Sequence, residues 1–303
     1  FGIPLLFPQV QQYLYEWMNI HRAGHGNVKE HLHHADHLLY NKYWFMNLPF
    51  WYGRVIFWGL GLSLVIIGLR KLSTAQDTDP KPDTSRLLKA RFHSTYTLII
   101  FALTITFTGF DFMMGIDYKW FSTMWGVYLF AGSALNSMAV IILVCAWLKS
   151  AGHLKHVTSG EHFHIMGKLL FAFTVFWAYI TFSQYFLIWN ANVPEETFWY
   201  NLREVNHDGS TNQWWYVGLV LLFGHFFVPF LYLLSYKHKV VHSKIKPIMW
   251  WILAVILVDM CYNILPALKD GHGDSLPFLS WNLLWVLTSV VGIGGVCTWS
   301  YLK

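Results

Sequence analysis

Asp259 and His225 are ionisable side chains set in apolar runs, in Ile256-Leu-Val-Asp-Met260 and Phe223-Gly-His-Phe-Phe227. A charge at the centre of a membrane-spanning helix costs about 2.5–3.5 kcal/mol on insertion scales, so such residues mark function. An imidazole and a carboxylate are the usual groups of a proton relay, and proton handling is the chemistry they support. Asp111, in Thr108-Gly-Phe-Asp-Phe-Met113, lies closer to the end of its run, where a helix-end or salt-bridge role is as natural as a relay. Tyr179, Ser183 and Gln184 share one run and either pass protons or supply the interhelical hydrogen bonds common in membranes. Arg54, one turn into the first run, can pair with a carboxylate, hold a polar head group or snorkel to the interface. Glu195 and Glu196, just after Pro194, join Arg54 as candidates for a ligand contact or a structural role.

These residues need long apolar elements to hold them, and composition says which. Of 303 residues, 55% are hydrophobic, 19% aromatic and 12% charged, against about 25% charged in soluble domains. A soluble fold of this length still needs a polar shell, so lipid replaces water as the solvent. A secreted disulfide scaffold, a disordered tail and a soluble Rossmann or barrel enzyme are excluded. Seven runs approach or exceed the roughly 20 residues that span a bilayer: Leu48–Leu69, His93–Gly115, Phe121–Leu148, Phe163–Asn190, Trp214–Tyr236, Pro247–Pro266 and Phe278–Tyr301. They are apolar all round, where barrel strands would alternate, and helices satisfy their own backbone in lipid. The expected fold class is all-α, a polytopic transmembrane helix bundle with seven complete spans over 48–303. Residues 1–47 precede it: Phe1–Phe7 reads as the last turns of an earlier helix, so N-terminal helices are expected to be missing, and a His-rich segment follows.

The loops after the first, third and fifth runs, the C-terminus and the opening turns of the fourth run, which carry Lys168, hold fourteen of the 21 Lys and Arg; the opposite loops hold six. Basic loops stay in the cytoplasm, so the net charge of +5 reflects topology, and no nucleic-acid partner is expected. Cys145, Cys261 and Cys297 form no Cys-x-x-Cys pair, which leaves no c-type haem attachment or thiolate cluster site. His225 alone lies deep enough for a membrane haem ligand, and a b-type haem would need a facing pair. His21, His25, His31, His33, His34 and His37 include i,i+4 pairs but lack the companion ligands of a metal site. They are expected as a solvated interface segment, with no metal. Trp44, Trp51, Trp120, Trp125, Trp189, Trp199, Trp214 and Trp215 sit at run ends, as an interfacial belt would. Ser73–Asp83 reads as a flexible loop.

The run Gly167-Lys-Leu-Leu-Phe-Ala-Phe-Thr-Val-Phe-Trp-Ala-Tyr-Ile-Thr-Phe-Ser-Gln-Tyr-Phe-Leu-Ile-Trp-Asn-Ala-Asn-Val-Pro-Glu-Glu196 resembles the ActF family. That family is the quinone-binding subunit 2 of alternative complex III, a bacterial quinol:cytochrome c oxidoreductase. Asn47-Leu-Pro-Phe50 with Arg54, Phe107-Thr-Gly-Phe-Asp111, Phe121–Gly132 and Gly224-His-Phe-Phe-Val-Pro-Phe230 extend the resemblance from about His33 to the end. It implies the polysulfide-reductase type of membrane subunit, built from up-and-down four-helix bundles, with about three helices before the first run. It further implies a bacterial inner membrane, a periplasmic His-rich segment and a related membrane partner, ActC. Other partners would carry c-type haems and iron–sulfur clusters, with electrons from menaquinol passing to cytochrome c or directly to a terminal oxidase. This chain would hold no redox cofactor, with menaquinone the possible ligand. On this reading the partner oxidises quinol, while this chain scaffolds the complex and conducts protons through Asp111, His225, Asp259 and the Tyr179–Gln184 face. A proton-coupled secondary transporter and a purely structural anchor are the competing classes; no paired broken helices in matching halves favour the transporter.

Overall fold

The computed structural model describes residues 7–23, 29, 32–33, 36–77, 84–154, 157–268, 275–278 and 281–302, the last segment with the side chains of 284, 286–296 and 299. Residues 1–6, His25, His31, His34, residues 78–83 and the Cys297 side chain lie outside these. The described residues are helical throughout, apart from loops and an isolated bridge between Val205 and Thr211. In chain order the helices are α1 (Pro8–Leu14), α2 (Glu16–Ala23), α3 (His37–Lys42), α4 (Leu48–Asp77), α5 (Thr84–Phe112), α6 (Trp125–Ser150), α7 (Gly160–Ala191), α8 (Pro194–Glu204), α9 (Gln213–Leu234), α10 (Tyr236–Val240), α11 (His242–Ile264) and α12 (Trp281–Leu302). Six of them, α4, α5, α6, α7, α9 and α11, are long and apolar enough to cross a membrane. The chain is an all-α, multi-pass membrane protein. The seventh expected span coincides with α12, whose described side chains form a shorter apolar stretch over Val286–Val296. Ser73–Asp77, expected as loop, continues α4.

The chain divides into two compact units, Phe1–Ala134 with Tyr179–Tyr185, and Leu135–Ala178 with Phe186–Lys303. In the first, α4 and α5 pack along their length, with Trp58 stacked on Phe107 at 5.0 Å between ring centroids. Trp51 and Arg54 are the buried residues of α4; Ile56, Phe57, Leu60, Leu64 and Ile66 are exposed. In water so large an apolar face would be untenable; in lipid it is an ordinary helix surface. The short helices α1–α3 close one end of the α4–α5 pair through a cluster of Tyr15, Trp17, Met18, Leu32, Leu39, Trp51 and Tyr118.

α5 and the start of α6 approach closely at Gly126. A Cβ built there would sit 2.4 Å from Thr106 Cγ2 and 2.8 Å from Thr106 Cβ. Threonine is β-branched and stiff, and its hydroxyl already donates to the Ala102 carbonyl at 2.8 Å. Gly126→Ala should therefore force the helices apart and destabilise by about 1–3 kcal/mol. Denaturant titration in mixed micelles measures this, and an unchanged midpoint would show that the contact yields without cost.

In the second unit, Leu135, Ala139, Ile142 and Ala146 recur at helical spacing along α6 and meet Phe163 and Leu170 of α7, Leu233 of α9, and Ile245, Ile248, Met249 and Ile252 of α11. Inside α9, Leu222–Phe227 widens to π-helix, and the Val228 N–H reaches back to the Phe223 carbonyl. Pro229 explains the wide turn: it has no N–H to donate, and its ring clashes with the carbonyl four residues back.

Candidate functional site

The first unit joins Arg54 and Asp111, 57 residues apart in sequence. Asp111 ends α5 and Arg54 lies early in α4, so antiparallel pairing sets the two at one level. Arg54 Nη2 donates to Asp111 Oδ1 at 2.6 Å, and Nε to Oδ1 and Oδ2 at 3.2 and 3.1 Å. Arg54 Nη1 donates to the Phe45 carbonyl at 2.7 Å. The guanidinium lies over Phe45 and Phe50, 3.8 and 4.5 Å from the ring centroids. Of the three roles open to Arg54, carboxylate pairing is the one observed, and for Asp111 the salt bridge. The Arg54 and Asp111 side chains are only 8% and 3% exposed, so each charge needs the other.

The pair lines a cavity of about 190 Å³, walled by Trp17, Trp51, Phe110, Tyr118, Trp120 and Phe121, with Lys42 as its further cation. The Trp17 indole N–H is buried and has no hydrogen-bond partner among the described residues. Around the cavity, the Trp51 indole N–H points at the Asp111 carbonyl at 3.5 Å and Tyr15 donates to the Phe112 carbonyl at 3.1 Å. Burial, then the Asp111 charge, pushes the Tyr15 hydroxyl well above the usual phenol range, keeping it a donor. Lys42 Nζ donates to the Tyr118 carbonyl at 2.7 Å; burial lowers its ammonium below the usual range against the opposing pull of Asp117 and Asp36. His21, expected in a solvated segment, is buried and stacked on Tyr43 at 5.5 Å. Burial lowers its imidazole below the usual range, against a hydrogen bond that the ring donates to the Met46 backbone carbonyl.

Asp36 anchors this region from outside the spans. Its carboxylate caps α3 by accepting from the Leu39 N–H at 2.9 Å and accepts the Tyr118 hydroxyl at 2.5 Å. Burial pushes the carboxyl up, but the Tyr118 hydroxyl, the Leu39 and Leu38 N–H groups and Lys119 outweigh it and hold it below the ordinary 3.8. A depressed carboxyl contributes stability above its unfolded pKa and loses it as pH falls through the folded value. Asp36→Asn should therefore lower the melting temperature at pH 7, with the gap to wild type closing as pH falls below 3.8. A gap of constant size down to pH 2.5 would contradict this.

The second unit holds His225, fully buried on the π turn of α9, with its ring 3.8 Å from that of Trp177. Neither imidazole nitrogen has a hydrogen-bond partner among the described residues. The adjoining Gly224 carbonyl accepts from the Trp251 indole at 2.7 Å. Asp259, buried on α11, accepts from Asn263 Nδ2 at 3.3 Å at Oδ1 and at 2.7 Å at its carbonyl. His225 and Asp259 share this unit without a hydrogen bond between them.

The remaining candidates are not gathered with these. Tyr179 is 65% exposed while Gln184 is 6% exposed and Ser183 half-buried. The expected Tyr179–Gln184 face is thus two faces of α7, and Gln184 falls on the buried stripe with Thr174 and Trp177. Glu195 and Glu196 occupy the first turn of α8 behind Pro194, where the helix dipole favours carboxylates, and neither lines the cavity. The expected tryptophan belt is also divided. Trp44, Trp189 and Trp215 are exposed, whereas Trp51, Trp120, Trp125, Trp199 and Trp214 are buried. In the sequence Arg203 falls between two apolar runs, as any loop cation would. It is fully buried, stacked on Trp199 at 3.3 Å, and donates to the carbonyls of Trp199, Tyr262 and Asn263, tying α8 to α11. The i,i+4 spacing of Trp199 and Arg203 was the available signal.

Fold and site together define a class: a multi-pass helical membrane protein with a buried ion pair on the wall of an aromatic cavity. No family model matches the chain, and no curated protein matches its sequence.

Proposed function

We propose that this chain is an integral membrane subunit of a bacterial respiratory quinol:cytochrome c oxidoreductase of the alternative complex III type, and that it receives a quinol ring in the Arg54–Asp111 cavity. The observation that carries the reading is the buried pair beside that aromatic wall. Flat aromatic side chains suit a quinol ring by offset or edge-on packing. Asp111 supplies an acceptor for one hydroxyl, and the Trp17 indole N–H a donor for the other oxygen. Oxidation releases two electrons and two protons; Asp111 takes the protons one at a time, and the electrons leave for haems and iron–sulfur clusters in partner subunits. The cavity is below the roughly 300–1,000 Å³ of drug-sized sites, so it suits a ring, with an isoprenoid tail left to lipid. The excess of Lys and Arg in the opposite loops supports a periplasmic cavity end of α4 and α5, where released protons would add to the gradient and partner haems would lie within reach. ActC, the haem and iron–sulfur subunits and a terminal oxidase are the partners this implies, and menaquinol the substrate.

Proton conduction is the second part of the proposal, supported by His225 on a π turn, a distortion frequent at functional sites. His225→Phe should lower protons translocated per electron while quinol oxidation continues; an unchanged ratio would remove His225 from any path. The subunit assignment is tested by tagging the chain, purifying it in mild detergent from intact membranes, and recording haem absorbance and quinol:cytochrome c activity. Haem bands with activity support the reading. A colourless, inactive, lone protein would overturn it and bring the transporter class forward.

A further inference from the structure

A second feature lies in the other unit, at the ends of α6, α7, α10 and α11. Residues 147–168 and 236–246 together carry seven lysines and six histidines against one carboxylate, Glu161. The fold brings the two segments together. Lys246 Nζ donates to the Ser150 hydroxyl at 3.1 Å. Lys149 Nζ donates to the Thr158 carbonyl at 2.7 Å and lies over the Phe163 ring at 5.2 Å. The His242 ring also lies near Phe163, with 6.2 Å between ring centroids. An ammonium group has three donors, so Lys149 and Lys246 each keep two beyond these bonds. Like charges on the two joined segments repel, and Glu161 accepts from the Tyr236 hydroxyl rather than from either lysine.

The surface beside this corner is apolar. Trp147 lies three residues before Ser150 and Trp250 four after Lys246, spacings that share a helix face. Each indole therefore sits about one turn into the apolar span from the Ser150–Lys246 contact, and they are 62% and 65% exposed. Cations above exposed indoles match a phospholipid, with phosphate at the lysines and acyl chains along the rings.

We propose that the Lys149–Ser150–Lys246 corner holds the headgroup of one anionic glycerophospholipid, whose chains lie against Trp147 and Trp250. The phosphate accepts from both lysines, while the Ser150 hydroxyl, which donates to the Ala146 carbonyl at 2.8 Å, holds Lys246 in place; no covalent step is involved. The inference stands independently of the quinol reading.

The test is native mass spectrometry of the purified full chain, delipidated in neutral detergent and offered phosphatidylglycerol, phosphatidylcholine or glycerol 3-phosphate. One phosphatidylglycerol should be retained, and Lys149→Gln with Lys246→Gln should weaken it about 30-fold, from the usual contribution per lysine at an anionic surface. Lys71→Gln with Lys89→Gln removes equal charge from the other unit and should retain wild-type affinity. Equal weakening in both pairs would overturn the site in favour of diffuse attraction. Equal retention of phosphatidylcholine would overturn the role of charge, and equally tight glycerol 3-phosphate would leave a phosphate site with no lipid. Should the double variant fail to fold, Lys246→Gln alone should weaken retention about 5-fold, and full retention there would also overturn the proposal.

Discussion

Replacing Arg54 with leucine is expected to destabilise the first unit by about 3–5 kcal/mol, because Asp111 is then left buried and unpaired. Asp111→Leu should cost a similar amount by stranding the guanidinium. The pair Arg54→Leu/Asp111→Leu should recover most of the loss, since no buried charge is left behind. Arg54→Lys should not rescue: one ammonium cannot reproduce at once the Nε and Nη2 contacts to Asp111 and the Nη1 contact to the Phe45 carbonyl. Unfolding midpoints in mixed micelles, run as a double-mutant cycle, measure the coupling. Additive losses would mean that the pair is wet and weak.

The second large effect uses that double variant as a tool. On the proposed quinol reading, the chain with both charges removed should fold and assemble with the proposed partners at wild-type haem content, yet quinol oxidation should fall by about 100-fold or more, the lower range for a lost general base. Normal turnover would make the ion pair a packing device and move quinol oxidation to the partner, the division of labour that the family resemblance first suggested. Loss of haem together with activity would point to assembly.

The spans were legible because run length alone implies helix in lipid, and the start at Leu48 coincides with α4. What was hidden is what depends on which faces meet. α4 is apolar all round, so nothing in its pattern says that Arg54 turns inward to Asp111 rather than outward to snorkel. A tryptophan at a span end reads the same whether it is exposed, as Trp189 is, or lines a cavity, as Trp51 and Trp120 do. Lys42 and Tyr118 lie outside the apolar runs, where nothing in the sequence marks a cavity, so only the fold sets them on its wall. Pro229 was a visible signal for the π turn under His225, since a proline in mid-span must break the hydrogen-bond ladder somewhere. Tyr179 and Gln184 look like one polar face until the helical angle is counted: five residues bring them to different sides.

The central claim is that quinol binds this chain beside Arg54 and Asp111. Photolabelling the proposed complex, purified from intact membranes, with an azido-menaquinol analogue, followed by peptide mapping, tests it most directly. The account predicts adducts within residues 42–54 and 110–121, suppressed by excess menaquinol and lost in Arg54→Leu/Asp111→Leu. Labelling confined to another subunit, with none in these two segments, would contradict it.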